Sequence, residues 1–147
     1  MGHEILNQVI RVSSEYYHTV LDMLPVHKRA FVDPHVTADT YYLVFIHGEP
    51  KAGFGVNHSG YLCGLFSLIP RIGRELFALR LTYAKAYAHP DAEYFKIFCI
   101  GEHLCELYES FGFEVTKTYD WDDSLAPDNW DYARYGRPKV YDLQRKI

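Results

Sequence analysis

The sequence predicts one α/β domain in which helices flank a central mixed sheet of six or seven strands. Short apolar runs rich in aromatic and β-branched residues are typical of strands. The stretch 71–87 repeats its apolar residues every three or four positions, as an amphipathic helix does. The second half alternates strands with helices, which implies a parallel pair of strands joined by a right-handed crossover. A chain of 147 residues has the length of one domain, so we expect residues 1–147 to fold as a single unit.

The composition indicates a folded protein with an aromatic core. Hydrophobic residues make up 48% of the chain and aromatic residues 16%, more than a disordered segment contains. The net charge of −4 argues against a nucleic-acid partner, because binding phosphates requires a surplus of Lys and Arg. No apolar run approaches the roughly 20 residues that cross a membrane, and the N-terminus lacks the order of a signal peptide. We therefore expect a cytoplasmic protein that does not associate with membranes.

The cysteines indicate the same compartment. Cys63, Cys99 and Cys105 are odd in number and lie in apolar stretches, which fits buried thiols better than a disulfide framework. We expect three free thiols. The neighbouring His103, Cys105 and Glu106 have neither the spacing nor the ligand number of a metal site, so no metal is predicted.

The first part of the chain is predicted to form a strand, a helix and an irregular segment. Residues 7–13 alternate loosely as a strand, and Ser13 or Ser14 can cap the helix that follows. Pro25 ends this helix, and residues 26–39 are expected to form a loop or a short irregular helix. The apolar face of the helix consists of Tyr17, Val20, Leu21 and Leu24.

A hairpin and a central strand are predicted next. Residues 40–46 are aromatic and β-branched, the turn 47–50 follows them, and 52–56 form the returning strand. The stretch 61–69 is too uniformly apolar for a surface strand, so it should lie in the middle of the sheet and end at Pro70.

The longest predicted helix is 71–87. Its apolar stripe consists of Ile72, Leu76, Leu79, Tyr83 and Ala86. The cationic side chains of this helix are expected to lie mostly off that stripe: Arg74, Arg80 and Lys85.

The last third of the sequence predicts three strands around a short helix. Residues 94–100 form a strand, and a helix that begins at Glu102 ends at Gly112. Residues 113–119 and 140–143 are strands, separated by a loop over 120–138. The helix that begins at Glu102 should present one apolar face made of Leu104, Leu107, Tyr108 and Phe111.

Two stretches resemble motifs of the GNAT superfamily of N-acetyltransferases. Ile72-Gly73-Arg74-Glu75-Leu76 is similar to the "IGRxL" half of the acetyl-CoA loop of that family. The stretch Leu107-Tyr108-Glu109-Ser110-Phe111-Gly112-Phe113-Glu114 is similar to the family signature "LYExxGFE". With the order of strands between them, the resemblance covers roughly residues 40–119. It implies the GNAT fold, acetyl-CoA as cofactor, and transfer of an acetyl group to a small-molecule or peptidic amine.

The resemblance implies a cofactor site where the strand 61–69 meets the long helix. The N–H groups at a helix N-terminus bind pyrophosphate. The family pattern is Gln or Arg, two free residues, Gly, one free residue, and Gly or Ala; this chain matches it only at Gly73. Pro70 lacks an N–H, while Arg71 and Arg74 can compensate by charge. The alternative is a core helix with solvated arginines. The implied cofactor-binding residues are Leu65, Phe66, Ser67, Arg71, Ile72, Gly73 and Arg74.

Acetyl transfer needs a base for the amine and an acid for the departing thiolate. The resemblance implies that Tyr108 is the acid; we expect it at the margin of its helix face, with its hydroxyl reaching a cleft between the strands 61–69 and 94–100. His58 and Glu102 are candidates for the base. Each of the three residues has an alternative structural role, in packing or in complementing a helix dipole.

The segment 120–131 carries both tryptophans of the chain among several aspartates, a composition that suits cations. In the GNAT family this stretch shapes the acceptor pocket, so a cationic amine or a basic protein surface is the implied partner. The alternative is a solvated loop with the tryptophans tucked beneath it. A second hypothesis for the whole protein is an inactive GNAT-fold inhibitor or adaptor. The candidate substrate-binding residues are Asp120, Trp121, Asp122, Asp123 and Trp130.

Overall fold

The computed structural model describes residues 8–32 and 36–147, so residue 7 of the predicted first strand and residues 33–35 of the predicted loop lie outside it. The strands are β1 Val9–Val12, β2 Thr40–Ile46, β3 Glu49–Val56, β4 Tyr61–Ser67, β5 Tyr94–Ile100, β6 Glu114–Tyr119 and β7 Val140–Lys146. The helices are α1 Ser14–Asp22, α2 Val26–Arg29, α3 Gly73–Tyr87, α4 Glu102–Glu109 and α5 Tyr132–Tyr135. None of the helices in these ranges is long and apolar enough to span a bilayer.

Within the described residues, the strands form one mixed seven-stranded sheet in the order β1-β2-β3-β4-β5-β7-β6. β4 is parallel to β5, whereas the other neighbouring pairs are antiparallel. The α/β class, the mixed sheet and the central position of β4 are confirmed. β7 is longer than the predicted 140–143 and is inserted between β5 and β6, where it pairs with all seven residues of β5.

The first two residues of β4 pair with the middle of β5, and the two strands then separate. Tyr61 is opposite Lys96 and Leu62 is opposite Ile97, and no further pair follows. The separation coincides with an irregular register between β3 and β4 and with Gly64, whose φ of 67° is a left-handed value that glycine adopts without strain. The predicted divergence of the two strands toward their C-terminal ends is confirmed.

The two faces of the sheet carry separate hydrophobic cores. Along β3, Ala52, Phe54 and Val56 pack on the side of α3 and α4, whereas a side chain at Gly53 would meet Tyr17 of α1 on the other side. This alternation follows from the two-residue period of a strand. Helix α1 therefore covers one face and α3 with α4 covers the other.

The buried face of α3 differs from the predicted stripe. Leu79 and Tyr83 are half-buried and Ala86 is exposed. Because α3 packs against both the sheet and α4, its contact face is turned by about one residue, or 100°. The most consequential difference is Arg80, which was expected off the apolar stripe and is buried. The buried residues of α3 are Leu76, Phe77, Arg80, Leu81 and Ala84.

Two loops contain more structure than predicted. The β2–β3 turn is a two-residue turn at His47 and Gly48, both with positive φ, so Pro50 lies inside β3 and not in the turn. The loop 120–138 contains a 3₁₀ turn at Asp123–Leu125 in addition to α5. Hydrophobic periodicity reveals neither the positive φ values of the turn nor the side-chain caps at Asp122 and Asp131 in the loop.

Candidate active site

The connection from β4 to α3 is a strained turn. The Ser67 hydroxyl accepts a bond from the Ile69 N–H at 3.1 Å and donates one to the Ile69 carbonyl at 3.1 Å. Arg71 follows with a φ of 64°, a left-handed conformation that costs a residue with a Cβ about 1 kcal/mol or more. The position at which the GNAT pattern places a glycine therefore has a backbone conformation that favours glycine, although arginine occupies it.

The N-terminus of α3 is open. Ile72 is the N-cap and supplies no side-chain bond to the N–H groups of the first turn. Gly73, Arg71 and Arg74 are exposed around these donors. The first turn of α3 can therefore present N–H groups and positive charge to an anion.

The two motif stretches are in contact. The Arg74 Nη1 donates to the Ser110 Oγ at 2.8 Å, and its guanidinium lies 4.9 Å from the centre of the Phe111 ring. A Cβ added at Gly73 would lie 3.9 Å from the Leu107 Cδ2. Arg74 is thus held against the end of α4, whereas Arg71 makes no such contact with the described residues.

Tyr108 is buried at the centre of its helix face and not at the margin. It is 4% exposed, its ring stacks on Phe77 with centroids 4.7 Å apart, and Cys105 is the other buried residue of α4. Burial raises the pKa of Tyr108 to about 12, and the nearby charge of Arg80 opposes that rise. The hydroxyl therefore stays protonated at neutral pH.

Arg80 is the functional candidate that the sequence analysis missed. It is 1% exposed, and its Nε and Nη1 have no hydrogen-bond partner within the described residues. Tyr108, Cys63 and Tyr17 surround its guanidinium, and burial lowers its pKa. The sequence spacing could have predicted this burial, because Arg80 lies four residues after Leu76 and four before Ala84, both of which are buried.

The structure does not bring the two candidate bases into contact with Tyr108. The His58 ring stacks on Tyr87, with centroids 4.1 Å apart, at the C-terminal end of α3. The length of this helix separates His58 from the Gly73 end by about 20 Å. Glu102 is exposed in the first turn of α4 and lines a shallow depression between α4 and the strands β6 and β7. The structure therefore places His58 away from the predicted cleft and Glu102 near the C-terminal end of β5.

Asp123 is the centre of a hydrogen-bonded network in the loop 120–138. Its Oδ1 accepts bonds from the Trp121 Nε1 at 3.1 Å, the Tyr132 hydroxyl at 2.9 Å and the Arg137 Nε at 3.1 Å. The bond from Arg137 is the largest cause that lowers the pKa of Asp123, and the bond from Tyr132 follows. Asp123 is thus engaged within the loop.

The remaining loop residues divide into anchors and exposed groups. Asp122 accepts bonds from the Ser124 hydroxyl and N–H, which lower its pKa. Trp130 is buried, donates to the Gly136 carbonyl at 3.0 Å, and packs on Phe31. The alternative prediction of tryptophans tucked beneath the loop therefore describes Trp130. Four of the five predicted substrate-binding residues keep accessible surface: Trp121 is half-buried, and Asp120, Asp122 and Asp123 are exposed. Asp120 forms an ion pair with Lys139 at 3.7 Å.

Solved structures with the same architecture are acetyltransferases. An acetyltransferase from Bacillus subtilis in complex with CoA has a TM-score of 0.62 and 15% identity, with 95% of this chain and 98% of that chain covered. A GNAT family acetyltransferase from Elizabethkingia anophelis with acetyl-CoA bound has a TM-score of 0.61 and 13% identity, with 96% and 99% covered. A ribosomal-protein-alanine N-acetyltransferase from Brucella melitensis has a TM-score of 0.59 and 12% identity, with 95% and 99% covered.

The chain therefore has the GNAT fold over nearly its whole length. At these identities the similarity concerns the fold alone. No protein-family model and no curated protein sequence matches the chain significantly.

Proposed function

We propose that this protein transfers an acetyl group from acetyl-CoA to an amine. The observation that carries the proposal is the separation of the parallel strands β4 and β5 directly beside the open N-terminus of α3. Beyond Leu62 the facing edges of both strands are without a strand partner, so their backbone groups can bind an extended ligand. A pantetheine arm is such a ligand, and it ends in the pyrophosphate that a helix N-terminus binds.

The cofactor-binding residues divide between these two features. Leu65, Phe66 and Ser67 continue β4 past its last pair with β5 and would line the arm. Arg71, with the first N–H groups of α3 at Gly73, would bind the pyrophosphate. Ile72 and Arg74 would hold the helix start against α4.

The transfer step uses Tyr108 as the acid. The neutral amine attacks the thioester carbonyl, the C–N bond forms as the C–S bond breaks, and the thiolate takes the phenolic proton. A pKa of about 12 keeps that proton on Tyr108 until the thiolate departs. Glu102, exposed near the C-terminal end of β5, is the candidate that would accept the amine proton through water, and no covalent enzyme intermediate is required.

The acceptor is a cationic amine in this proposal. Asp120, which is exposed and ion-paired with Lys139 at 3.7 Å, would offer negative charge, and the half-buried Trp121 would offer aromatic surface. The acceptors named for similar structures include ribosomal-protein alanine, phosphinothricin and agmatine. These acceptors share an amino group, which is the chemistry proposed for this chain.

The test is release of free CoA thiol from acetyl-CoA in the presence of a panel of amines. The panel should contain polyamines, amino acids and peptides with free N-termini, each with an N-acetylated counterpart as the blocked control. Amine-dependent thiol release together with an acetylated product of the expected mass would support the proposal. Thiol release that is the same with blocked amines would show hydrolysis without transfer.

A GNAT-fold binding protein without turnover is the second candidate function. Pro70 removes one N–H donor from the turn before α3, and arginine stands at the left-handed position 71. Both features weaken a phosphate-binding turn. Binding of acetyl-CoA without transfer to any amine of the panel, or no binding at all, would favour this candidate.

A further inference from the structure

The buried side chain of Arg80 is influenced by groups from both faces of the sheet. Arg80 belongs to α3, on the same face of the sheet as Tyr108. Its guanidinium nevertheless interacts electrostatically with Cys63 and Tyr17, whose side chains belong to the core of the opposite face. Groups of both faces approach one guanidinium most closely where the sheet is open, and β4 parts from β5 immediately after Leu62.

This guanidinium has no anionic partner among residues 8–32 and 36–147. The ion pairs of these residues do not include Arg80. The ionisable groups that act on it are Tyr108, which also shares a hydrogen bond with it, Cys63 and Tyr17, and none of these three is a carboxylate. Arginine keeps its charge even when buried, and a buried charge without a partner is strongly unfavourable. Two unbonded nitrogens, Nε and Nη1, add to that cost.

We propose that Arg80 binds a carboxylate group of the substrate in the opening between β4 and β5. The inference rests on the proposed function and specifies its substrate class: either the acyl group on CoA or the amine acceptor carries an acid. A guanidinium can donate two parallel N–H bonds to one carboxylate, which supplies the missing charge and the missing acceptors together. The transfer is otherwise unchanged: the amine displaces CoA thiol from the acyl carbon, and the carboxylate takes no part in bond breaking.

The experiment compares ligand affinities by thermal shift in wild type, Arg80→Met and Lys85→Met. Lys85 is an exposed cation of the same helix, so Lys85→Met is the matched control. The ligands are acetyl-CoA, succinyl-CoA and free succinate, with lysine and cadaverine tested on protein saturated with CoA. Cadaverine is lysine without its carboxylate. Arg80→Lys is the second variant, because it keeps the charge and removes the planar fork.

In wild type and Lys85→Met, we expect the affinity for the carboxylate-bearing ligand of a pair to be about tenfold or more above that for its partner. This preference should be lost in Arg80→Met and reduced in Arg80→Lys. A preference for succinyl-CoA over acetyl-CoA assigns the acid to the acyl group, and a preference for lysine over cadaverine assigns it to the acceptor. Without ligand, Arg80→Met should melt no lower than wild type, because the unpaired charge is gone.

Equal affinities for the members of both pairs, or a preference that survives in Arg80→Met, would overturn the inference while acetyl-CoA binding kept the proposed function. Failure of both CoA esters to bind would reject the proposed function. In that case, a thermal shift with free succinate that depends on Arg80 would still support a carboxylate site. The absence of that succinate shift would reject the carboxylate site as well as the proposed function. Glu4 and Asp33 lie outside the described residues. If Glu4→Gln with Asp33→Asn destabilises the protein only while Arg80 is present, the counter-charge is internal and the inference fails.

Discussion

Tyr108 connects the motif stretch of the sequence to the proposed chemistry. Its ring is fixed by Phe77 and its hydroxyl is directed toward the charge of Arg80, so replacement by Phe removes the proton donor and keeps the packing. We expect Tyr108→Phe to lower turnover about 10²-fold or more, the usual scale of general acid catalysis, with acetyl-CoA affinity unchanged. The measurement is kcat per folded molecule. A tyrosine that only packs would leave kcat unchanged and cost about 1 kcal/mol of stability.

The same residue makes stability depend on pH in alkali. The pKa of Tyr108 is about 12 in the folded chain and about 10 in an unfolded one, so the folded state retains the proton longer. Its contribution to stability is complete below pH 10 and is lost as the pH rises to 12. Denaturant titrations at pH 8 and pH 11 should show a loss of about 1 kcal/mol in wild type beyond that in Tyr108→Phe. Equal losses of unfolding free energy in the two proteins would show that the Tyr108 hydroxyl is not shielded from water.

Replacing Arg71 with glycine should change stability and acetyl-CoA binding in opposite directions. Glycine is free of strain at a φ of 64°, so Arg71→Gly should raise the free energy of unfolding by about 0.5–1 kcal/mol. Arg71→Ala removes the same charge but keeps a Cβ, so its stability should stay near that of wild type. Both variants should bind acetyl-CoA more weakly, as measured by calorimetry, because a phosphate-binding cation is lost. Undiminished affinity in both would remove Arg71 from the cofactor site.

At the scale of elements, the loop 120–138 illustrates what a sequence pattern cannot provide. Its aspartates were predicted to face a cation, but Asp122 and Asp123 accept hydrogen bonds from their own loop. Composition reports charge, whereas side-chain geometry decides whether that charge is already used. Helix α3 gives a similar lesson. The polarity of Arg80 led to its placement off the apolar stripe, but its position along the helix places it on the buried face.

The network around Asp123 can be tested with the fluorescence of the tryptophans. Both tryptophans of the chain, Trp121 and Trp130, lie in this loop and stack 4.8 Å apart. Asp123→Ala removes the acceptor shared by Trp121, Tyr132 and Arg137, so we expect a red shift of the emission as the loop opens to water. Asp128→Ala, at an exposed position, is the matched control and should leave the spectrum unchanged. The same spectrum in Asp123→Ala as in wild type would show that the loop does not depend on this carboxylate.

At the scale of the whole molecule, strand order was the most predictable feature. The uniformly apolar β4 was placed at the centre of the sheet, and the crossover through α3 made it parallel to β5, because both conclusions depend only on burial and chain handedness. The position of β7 between β5 and β6 was not predicted, since a short polar strand at the end of a chain carries little periodicity. The separation of β4 from β5 was predicted from the break at Pro70, whereas the burial of Arg80 was not predicted.

Titration of the protein with acetyl-CoA while the melting temperature is recorded tests the central claim most directly. A ligand that binds only the folded state adds about 2.7 kcal/mol at a hundredfold excess over its dissociation constant, which raises the melting temperature by several degrees. We predict that rise in wild type, a smaller rise in Arg71→Ala with Arg74→Ala at the same concentration, and no rise with adenosine alone. A melting temperature that stays constant to millimolar acetyl-CoA would contradict the proposal that the opening between β4 and β5 is a cofactor site.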